Sequence, residues 1–139
     1  DAPEPLGLVN NDVVGAWSSN FQNGAWFGNG LNNLGLYIKV VGKVTYVEED
    51  AGSIKYFYID DGSNLADGTA HLVGETPVPN VGLRIVAPSW LINAAPTGFG
   101  IGEIVSVVGC SALELVGLGG DNGVPAVRIA DMDSVLVNN

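Results

Sequence analysis

The chain has 139 residues, with 15 acidic and 5 basic side chains and a formal net charge of −10. This length suits one domain that buries a core of its own. The charge argues against nucleic acid as a partner, because binding a phosphate backbone requires clustered Lys and Arg. Apolar residues make up 47% of the chain, yet no run approaches the roughly eighteen uncharged apolar residues of a membrane helix. We therefore expect no membrane insertion.

Residues 1–34 differ in composition from the rest of the chain, because Asn and Gly alternate there with large apolar side chains. The Asn and Gly content alone is typical of a flexible segment, but this much aromatic surface is too large to leave in water. We expect an ordered N-terminal arm, docked on its own barrel or on a neighbouring subunit. The side chains predicted to make that contact are Trp17, Phe21, Trp26, Phe27 and Leu31.

The remaining residues, 35–139, are predicted to form one β domain around a central hairpin. Residues 36–47 alternate with period two, which indicates a strand with one buried face. Gly42 falls on the buried row, where the missing side chain lets a long strand coil. An acidic turn and a second strand, Ile54–Ile59, follow. The pattern places these side chains on the buried face of the first strand: Leu36, Ile38, Val40, Val44 and Tyr46.

Further strands are predicted after this hairpin, with one short helix between the third and the fourth. Residues 64–80 read as a long polar connection, and Pro88 suits the first turn of a helix over 88–95. The predicted strands are 81–86, 104–110 with a weaker continuation to 118, 124–129, and a short last strand at 134–137. This order matches a five-stranded Greek-key barrel of the OB type.

Four short motifs carry a resemblance to a known group of domains. They are the GKVT at 42–45, the YIDDGS at 58–63, the GLRI at 82–85 and the VSVVG at 105–109. On these motifs the chain resembles the OB-fold domains of secreted multidomain bacterial proteins. The resemblance implies an all-β fold with one short helix. Because those relatives are mostly uncharacterised, it implies no catalytic residues.

The sequence favours a protein that is not an enzyme. His71 is the only histidine, and it is predicted in a solvated polar loop. No arrangement of Ser, His and Asp suggests a nucleophile with its base. Asp60 and Asp61 are adjacent, and adjacent strand residues point to opposite faces, so they do not form the opposed carboxylates of a glycosidase.

Tyrosines and lysines on the first two strands form the candidate ligand face, which comprises Tyr37, Lys39, Tyr56 and Tyr58. Their rings are suited to stacking on sugars or bases, although tyrosine is also an ordinary strand residue. If a ligand exists, an oligosaccharide fits the acidic chain better than a polynucleotide.

No cofactor is expected, with calcium as the one candidate. One His and one Cys do not form a tetrahedral zinc site. Calcium prefers oxygen ligands on flexible loops, but the same acidic residues are also common turn formers. The weak calcium candidates are Asp60, Asp61, Asp67 and Asp121.

These observations together favour a structural role outside the cell. The low Lys content and the start at Asp1 suggest an extracellular or cell-surface protein after removal of a signal peptide. We expect a homo-oligomer or homopolymer, in which a head-to-tail contact through the arm and the exposed barrel edges builds a filament. The alternative is an extracellular OB-fold module that binds an oligosaccharide or, less favoured, single-stranded nucleic acid. Cys110 is predicted to be a buried thiol, with an intermolecular disulfide as the alternative.

Overall fold

The computed structural model describes residues 3–15, 30–88, 95–116 and 122–138. In these ranges the chain is almost entirely β-structure, with two short 3-10 helices at Asn10–Asp12 and Met132–Ser134. The strands are β1 (Leu6–Gly7), β2 (Tyr37–Asp50), β3 (Ser53–Asp60), β4 (Ala70–Val73), β5 (Thr76–Pro79), β6 (Leu83–Val86), β7 (Ile104–Val116), β8 (Asn122–Arg128) and β9 (Val135–Asn138). The prediction of an all-β protein is confirmed. The predicted helix at 88–95 lies mostly outside the described residues.

Seven of the strands form one mixed sheet in the order β1-β2-β3-β6-β8-β7-β9. The long strand β2 also pairs with β7, so the strands β2, β3, β6, β8 and β7 form a ring. The pairing of β6 with β8 is parallel, and the other four pairings around this ring are antiparallel. Strands β4 and β5 pair only with each other, as a separate hairpin.

The core lies inside the ring and comes from the alternating residues that the sequence pattern indicated. In β2, Ile38, Val40 and Val44 are buried, whereas Tyr37, Lys39, Val41 and Lys43 are exposed. The other strands of the ring contribute β-branched and aromatic side chains to the same cluster, which suit a pleated, half-buried surface. These include Phe57, Ile59, Leu83, Ile85, Val105, Val107 and Val127.

A β-bulge changes the face on which Tyr46 lies. Val44 is opposite Ile59, but Tyr46 is opposite Tyr58, so that Thr45 is an extra residue in β2. One extra residue moves every following side chain to the other face of a strand. Tyr46 therefore lies on the outer face, and its predicted place on the buried face is wrong. Leu36, which precedes β2, is 49% exposed, so its predicted place on the buried face is wrong as well.

Two glycines allow backbones to approach closely where the ring closes. A Cβ on Gly42 would lie 2.9 Å from the carbonyl carbon and oxygen of Asp60, and one on Gly109 would lie 2.4 Å from the carbonyl oxygen of Arg128. Real Cβ atoms do not approach this closely, so both positions require the missing side chain.

The described parts of the N-terminal arm pack on the ring of the same chain. Strand β1 pairs in parallel with β2, and Val13 and Val14 belong to the buried core. The second described part lies beside the first, because Asn33 N donates to Val14 O at 3.2 Å. Of the side chains predicted to dock the arm, Leu31 is 90% exposed, and the other four lie outside the described residues: Trp17, Phe21, Trp26 and Phe27.

Candidate functional site

The segment predicted as a polar connection contains the hairpin of β4 and β5. The turn is Gly74-Glu75, and Gly74 has a φ of 65°, a conformation that suits glycine. A Gly-containing two-residue turn between short apolar runs is the signal that would have predicted this hairpin. The runs were missed because each strand has only four residues.

His71 lies on β4 of this hairpin, and its predicted place in a solvated loop is wrong. Its ring stacks on the ring of Tyr46 with centroids 3.9 Å apart and planes 14° apart. Its Nδ1 lies 2.7 Å from Oδ1 of Asn80. The stack fastens the hairpin to the outer face of β2, because the bulge at Thr45 turns Tyr46 outward.

Further aromatic rings continue from this stack across the outer face of β3 and β6. The Tyr46 and Tyr56 centroids are 6.4 Å apart, and the Arg84 guanidinium lies 3.7 Å from the Tyr56 centroid. Tyr58 meets Tyr56 edge-on at 6.1 Å. Stacked and cation–π contacts of this kind each stabilise the face by about 0.5–1.5 kcal/mol. We call Tyr46, Tyr56, Tyr58, His71 and Arg84 the aromatic–arginine cluster.

The hydroxyl of Tyr58 is the polar centre of this cluster. It donates to Asp67 Oδ2 at 2.7 Å and lies 2.8 Å from Thr69 Oγ1, while Arg84 Nη1 donates to it at 3.1 Å. Burial, with a smaller contribution from the Asp67 carboxylate, raises the pKa of Tyr58 to about 12. The side chain of Tyr58 is fully buried, so Tyr58 packs against the hairpin and does not belong to an exposed face.

The structure divides the predicted ligand face into two parts. Tyr37 and Lys39 are exposed near the start of β2, where Tyr37 is opposite Cys110 of β7. Tyr56 is opposite Glu48, near the other end of β2. The rings of Tyr37 and Tyr56 therefore lie near opposite ends of β2 and do not form one binding surface.

Cys110 is exposed, and its predicted burial is wrong. It lies opposite Tyr37 and Arg128 on the outer face of the ring. Strand β7 alternates, with Val105, Val107 and Gly109 on the inner side. The prediction relied on the apolar composition of this strand and not on its alternation, which places Cys110 on the outward row.

A cleft of about 560 Å³ lies where β2, β3 and β7 meet. Lys43 joins its walls, since it is opposite Asp60 on β3 and opposite Ile104 on β7. The volume falls within the range of small-molecule sites in proteins, about 300–1,000 Å³. The lining residues are Val41, Gly42, Lys43, Thr45, Asp60, Asp61, Gly62 and Ile104.

Two of the calcium candidates border this cleft, and their carboxylates hold turns. Asp60 Oδ1 accepts from Asn64 N at 3.0 Å. Asp61 accepts from Asn10 N at 2.8 Å and from Ser63 N at 3.0 Å. Burial acts to raise the pKa of Asp61, but hydrogen bonds from Ser63 and Asn10 outweigh it and hold that pKa below the ordinary value.

The structure describes only one of the other two calcium candidates. Asp67 belongs to the Tyr58 network, and Asp121 is outside the described residues. Within the described ranges, no three His, Cys, Asp or Glu side chains are placed so that they would hold a metal ion together. The sequence prediction of calcium binding thus remains a prediction.

In its described ranges this is an all-β protein with a ring of five paired strands, a separate hairpin packed on the outer face of the ring, and an open cleft beside Lys43. In comparisons with known proteins, no family model and no curated protein matches this sequence. Among the described residues, no helix has the length and apolar character needed to cross a membrane.

Proposed function

We propose that the chain is a non-catalytic, secreted structural subunit that assembles with copies of itself. One observation carries this proposal: a set of large apolar side chains around the N-terminal segment is 41% to 90% exposed. Clustered exposed apolar surface is typical of protein–protein contacts, whereas single exposed apolar residues need no explanation. We call this set the apolar band; it comprises Leu6, Val9, Leu31, Leu34, Leu36 and Tyr37.

The members of the apolar band come from segments that touch one another. Leu6 pairs opposite Ile38, next to Tyr37 in β2. Leu36 N donates to Asn33 O at 3.0 Å, and Asn33 N donates to Val14 O. The band therefore belongs to segments that meet at the start of β2, and we propose that a second copy docks there and buries several of these exposed side chains.

Pairing through exposed strand edges is the second possible route to assembly. The outer edge of β5 in the hairpin is not suited to it. Val73 and Thr76 flank the two-residue turn, and the register pairs His71 with Val78. Because Pro77 and Pro79 have no N–H, the hydrogen-bonded pairs are those of Thr76 and Val78, and the two prolines face the outer edge of β5. That edge offers no N–H donor to another chain. This favours contacts through the apolar band over contacts through β5.

We also infer that β2, β3, β6, β8 and β7 form a barrel of the OB type. The support is the strand order around the ring together with the parallel pairing of β6 and β8. The alternative function is oligosaccharide binding on the predicted face of Tyr37, Lys39, Tyr56 and Tyr58. It gains no support, because Tyr37 and Lys39 lie near one end of β2 and Tyr56 near the other.

Sedimentation velocity and electron microscopy of the full chain test the assembly proposal. We expect concentration-dependent large species that Leu31→Ser and Leu36→Ser together reduce, because they remove apolar surface from the contact. Leu72→Ser with Leu115→Ser is the matched control, since both residues are similarly exposed outside the apolar band. A chain that stays monomeric at all concentrations, or equal effects of both pairs, would exclude assembly through the band.

A further inference from the structure

The cleft at the junction of β2, β3 and β7 has a floor of bare backbone. Gly42 and Gly62 contribute no side chain to it. A Cβ on Gly42 would point to the buried side of β2 and meet the Asp60 backbone at 2.9 Å, so β2 and β3 lie in close contact beneath the cleft. A ligand in the cleft therefore contacts the backbone of these two glycines as well as side chains.

The charges around the cleft are mixed. Lys43 forms no ion pair with any described residue. Asp60 and Asp61 stand on the opposite wall. A simple anion is disfavoured because two carboxylates repel it. A simple cation is disfavoured because the ammonium repels it and the part of the chain described contains no metal-holding group. The lining thus selects a ligand without net charge that both donates and accepts hydrogen bonds.

The remaining wall is apolar. Val41 and Ile104 are 44% and 47% exposed, and they flank Lys43 along and across the strands. Thr45 Oγ1 donates to Val81 O at 2.6 Å, so its hydroxyl presents acceptor lone pairs to other groups. A ligand that hydrogen-bonds to Lys43 and Asp60 and packs on Val41 and Ile104 needs hydroxyl groups on neighbouring carbons and an apolar C–H face. A sugar ring has both.

We propose that this cleft binds a neutral saccharide, with hydroxyls on Lys43 and Asp60 and the ring's C–H face on Val41 and Ile104. The cleft is separate from the apolar band and from the aromatic–arginine cluster, with which it shares no residue. Saccharide binding and self-assembly therefore use different side chains and can be tested by separate substitutions.

Amide NMR titration of the full chain with maltose, cellobiose and lactose tests the proposal. We expect at least one of them to shift the amides of Val41, Lys43 and Ile104. Glucuronic acid and glucosamine serve as the negatively and positively charged comparators, and both should bind more weakly than the neutral sugar.

Two substitutions assign the binding to the cleft. Lys43→Ala and Asp60→Asn should each weaken the affinity about tenfold, since each removes a hydrogen bond to a charged group. Asp60→Asn keeps the side-chain oxygen that accepts from Asn64 N, and an unchanged amide spectrum verifies the fold. Lys39→Ala is the matched control, because Lys39 is exposed on the same row of β2 but does not line the cleft. The absence of shifts at the cleft, equal loss with Lys39→Ala, or preference for a charged comparator would overturn the proposal.

Discussion

Asn33 connects the N-terminal segment to the ring through a single amide side chain. Its Oδ1 accepts from Val14 N and from Ser111 Oγ, both at 2.8 Å, and its Nδ2 donates to Asp12 O at 2.6 Å. Val14 has a φ of 71°, a left-handed conformation that is costly for a β-branched residue. The hydrogen bonds from Asn33 offset part of that cost.

Replacement of Asn33 is the first prediction at this scale. Asn33→Ala should lower the free energy of unfolding by about 1–3 kcal/mol, because it leaves buried polar partners unsatisfied. Urea denaturation measures the change. Leu31→Ser, in the same segment but 90% exposed, should change stability by less than about 0.5 kcal/mol. Equal effects of the two substitutions would contradict the role given to Asn33.

Tyr58 gives a pH-dependent prediction. Its pKa in the folded chain is about 12, against an ordinary value of 10.0. The folded state therefore holds the proton more tightly, and this contribution to stability is fully present below pH 10.0 and declines as the pH rises toward about 12.

Urea denaturation between neutral pH and pH 12 tests this sign. Tyr58→Phe should be less stable than the wild type at neutral pH, because Asp67 loses a hydrogen-bond donor. It should then lose less stability than the wild type as the pH rises, since it has no buried phenol to ionise. Tyr37→Phe, on the exposed face, should follow the wild-type profile. Parallel profiles for Tyr58→Phe and the wild type would disprove the assignment.

At the scale of elements, the alternating prolines protect one edge of the hairpin. Pro77→Thr with Pro79→Thr would restore two outward N–H donors to β5 and should increase aggregation, because an open edge accepts another strand. Thioflavin T fluorescence and light scattering measure this. Val78→Thr is the control, since its N–H faces β4. Unchanged aggregation of the double variant would show that the edge is protected by other means.

The close approach of β7 to β8 gives a second prediction for the elements. Gly109→Ala places a Cβ 2.4 Å from the Arg128 carbonyl oxygen, so the two strands must separate. We expect a loss of about 1–3 kcal/mol in the free energy of unfolding, as for other overpacked sites. Gly100→Ala is the control, because nothing lies within 4 Å of the added Cβ. Similar stability of both variants would argue against a close contact at Gly109.

For the molecule as a whole, the two described parts of the arm pack on the ring of the same chain. Residues 3–15 and 30–34 are joined by hydrogen bonds between Val14 and Asn33. Replacing residues 16–29 with a short Gly/Ser linker should leave the core of the ring folded, as judged by its amide NMR spectrum, because Val13 and Val14 remain in that core.

The same replacement tests whether the aromatic segment assists assembly. Sedimentation should show weaker self-association, since the segment contains Trp17, Phe21, Trp26 and Phe27. Removal of all of residues 1–34 should instead destabilise the ring, because it also removes buried side chains. If the linker variant assembles as well as the full chain, residues 16–29 are not needed for the contact between copies, and the apolar band alone would account for it.

The elements that depend on local patterns were predicted from the sequence, whereas those that depend on contacts between residues far apart in the chain were missed. The strand β2 was predicted from its period-two alternation, and β3, β6, β7, β8 and β9 from runs of β-branched, aromatic and apolar residues; both signals are local in the sequence. The hairpin of β4 and β5 was missed, because its short strands are held by the Tyr46–His71 stack, which joins residues far apart in the chain.

Sequence alone determined that this acidic chain is all-β and that Ile38, Val40 and Val44 of β2 enter the core, because both follow from composition and period. Only the tertiary structure decided that Tyr46 turns outward and Cys110 is exposed. It also decided that Lys43, Asp60 and Ile104 meet in one cleft. The physical reason is that a bulge and the closure of a ring depend on how strands pair, and pairing partners are set by packing across the whole molecule.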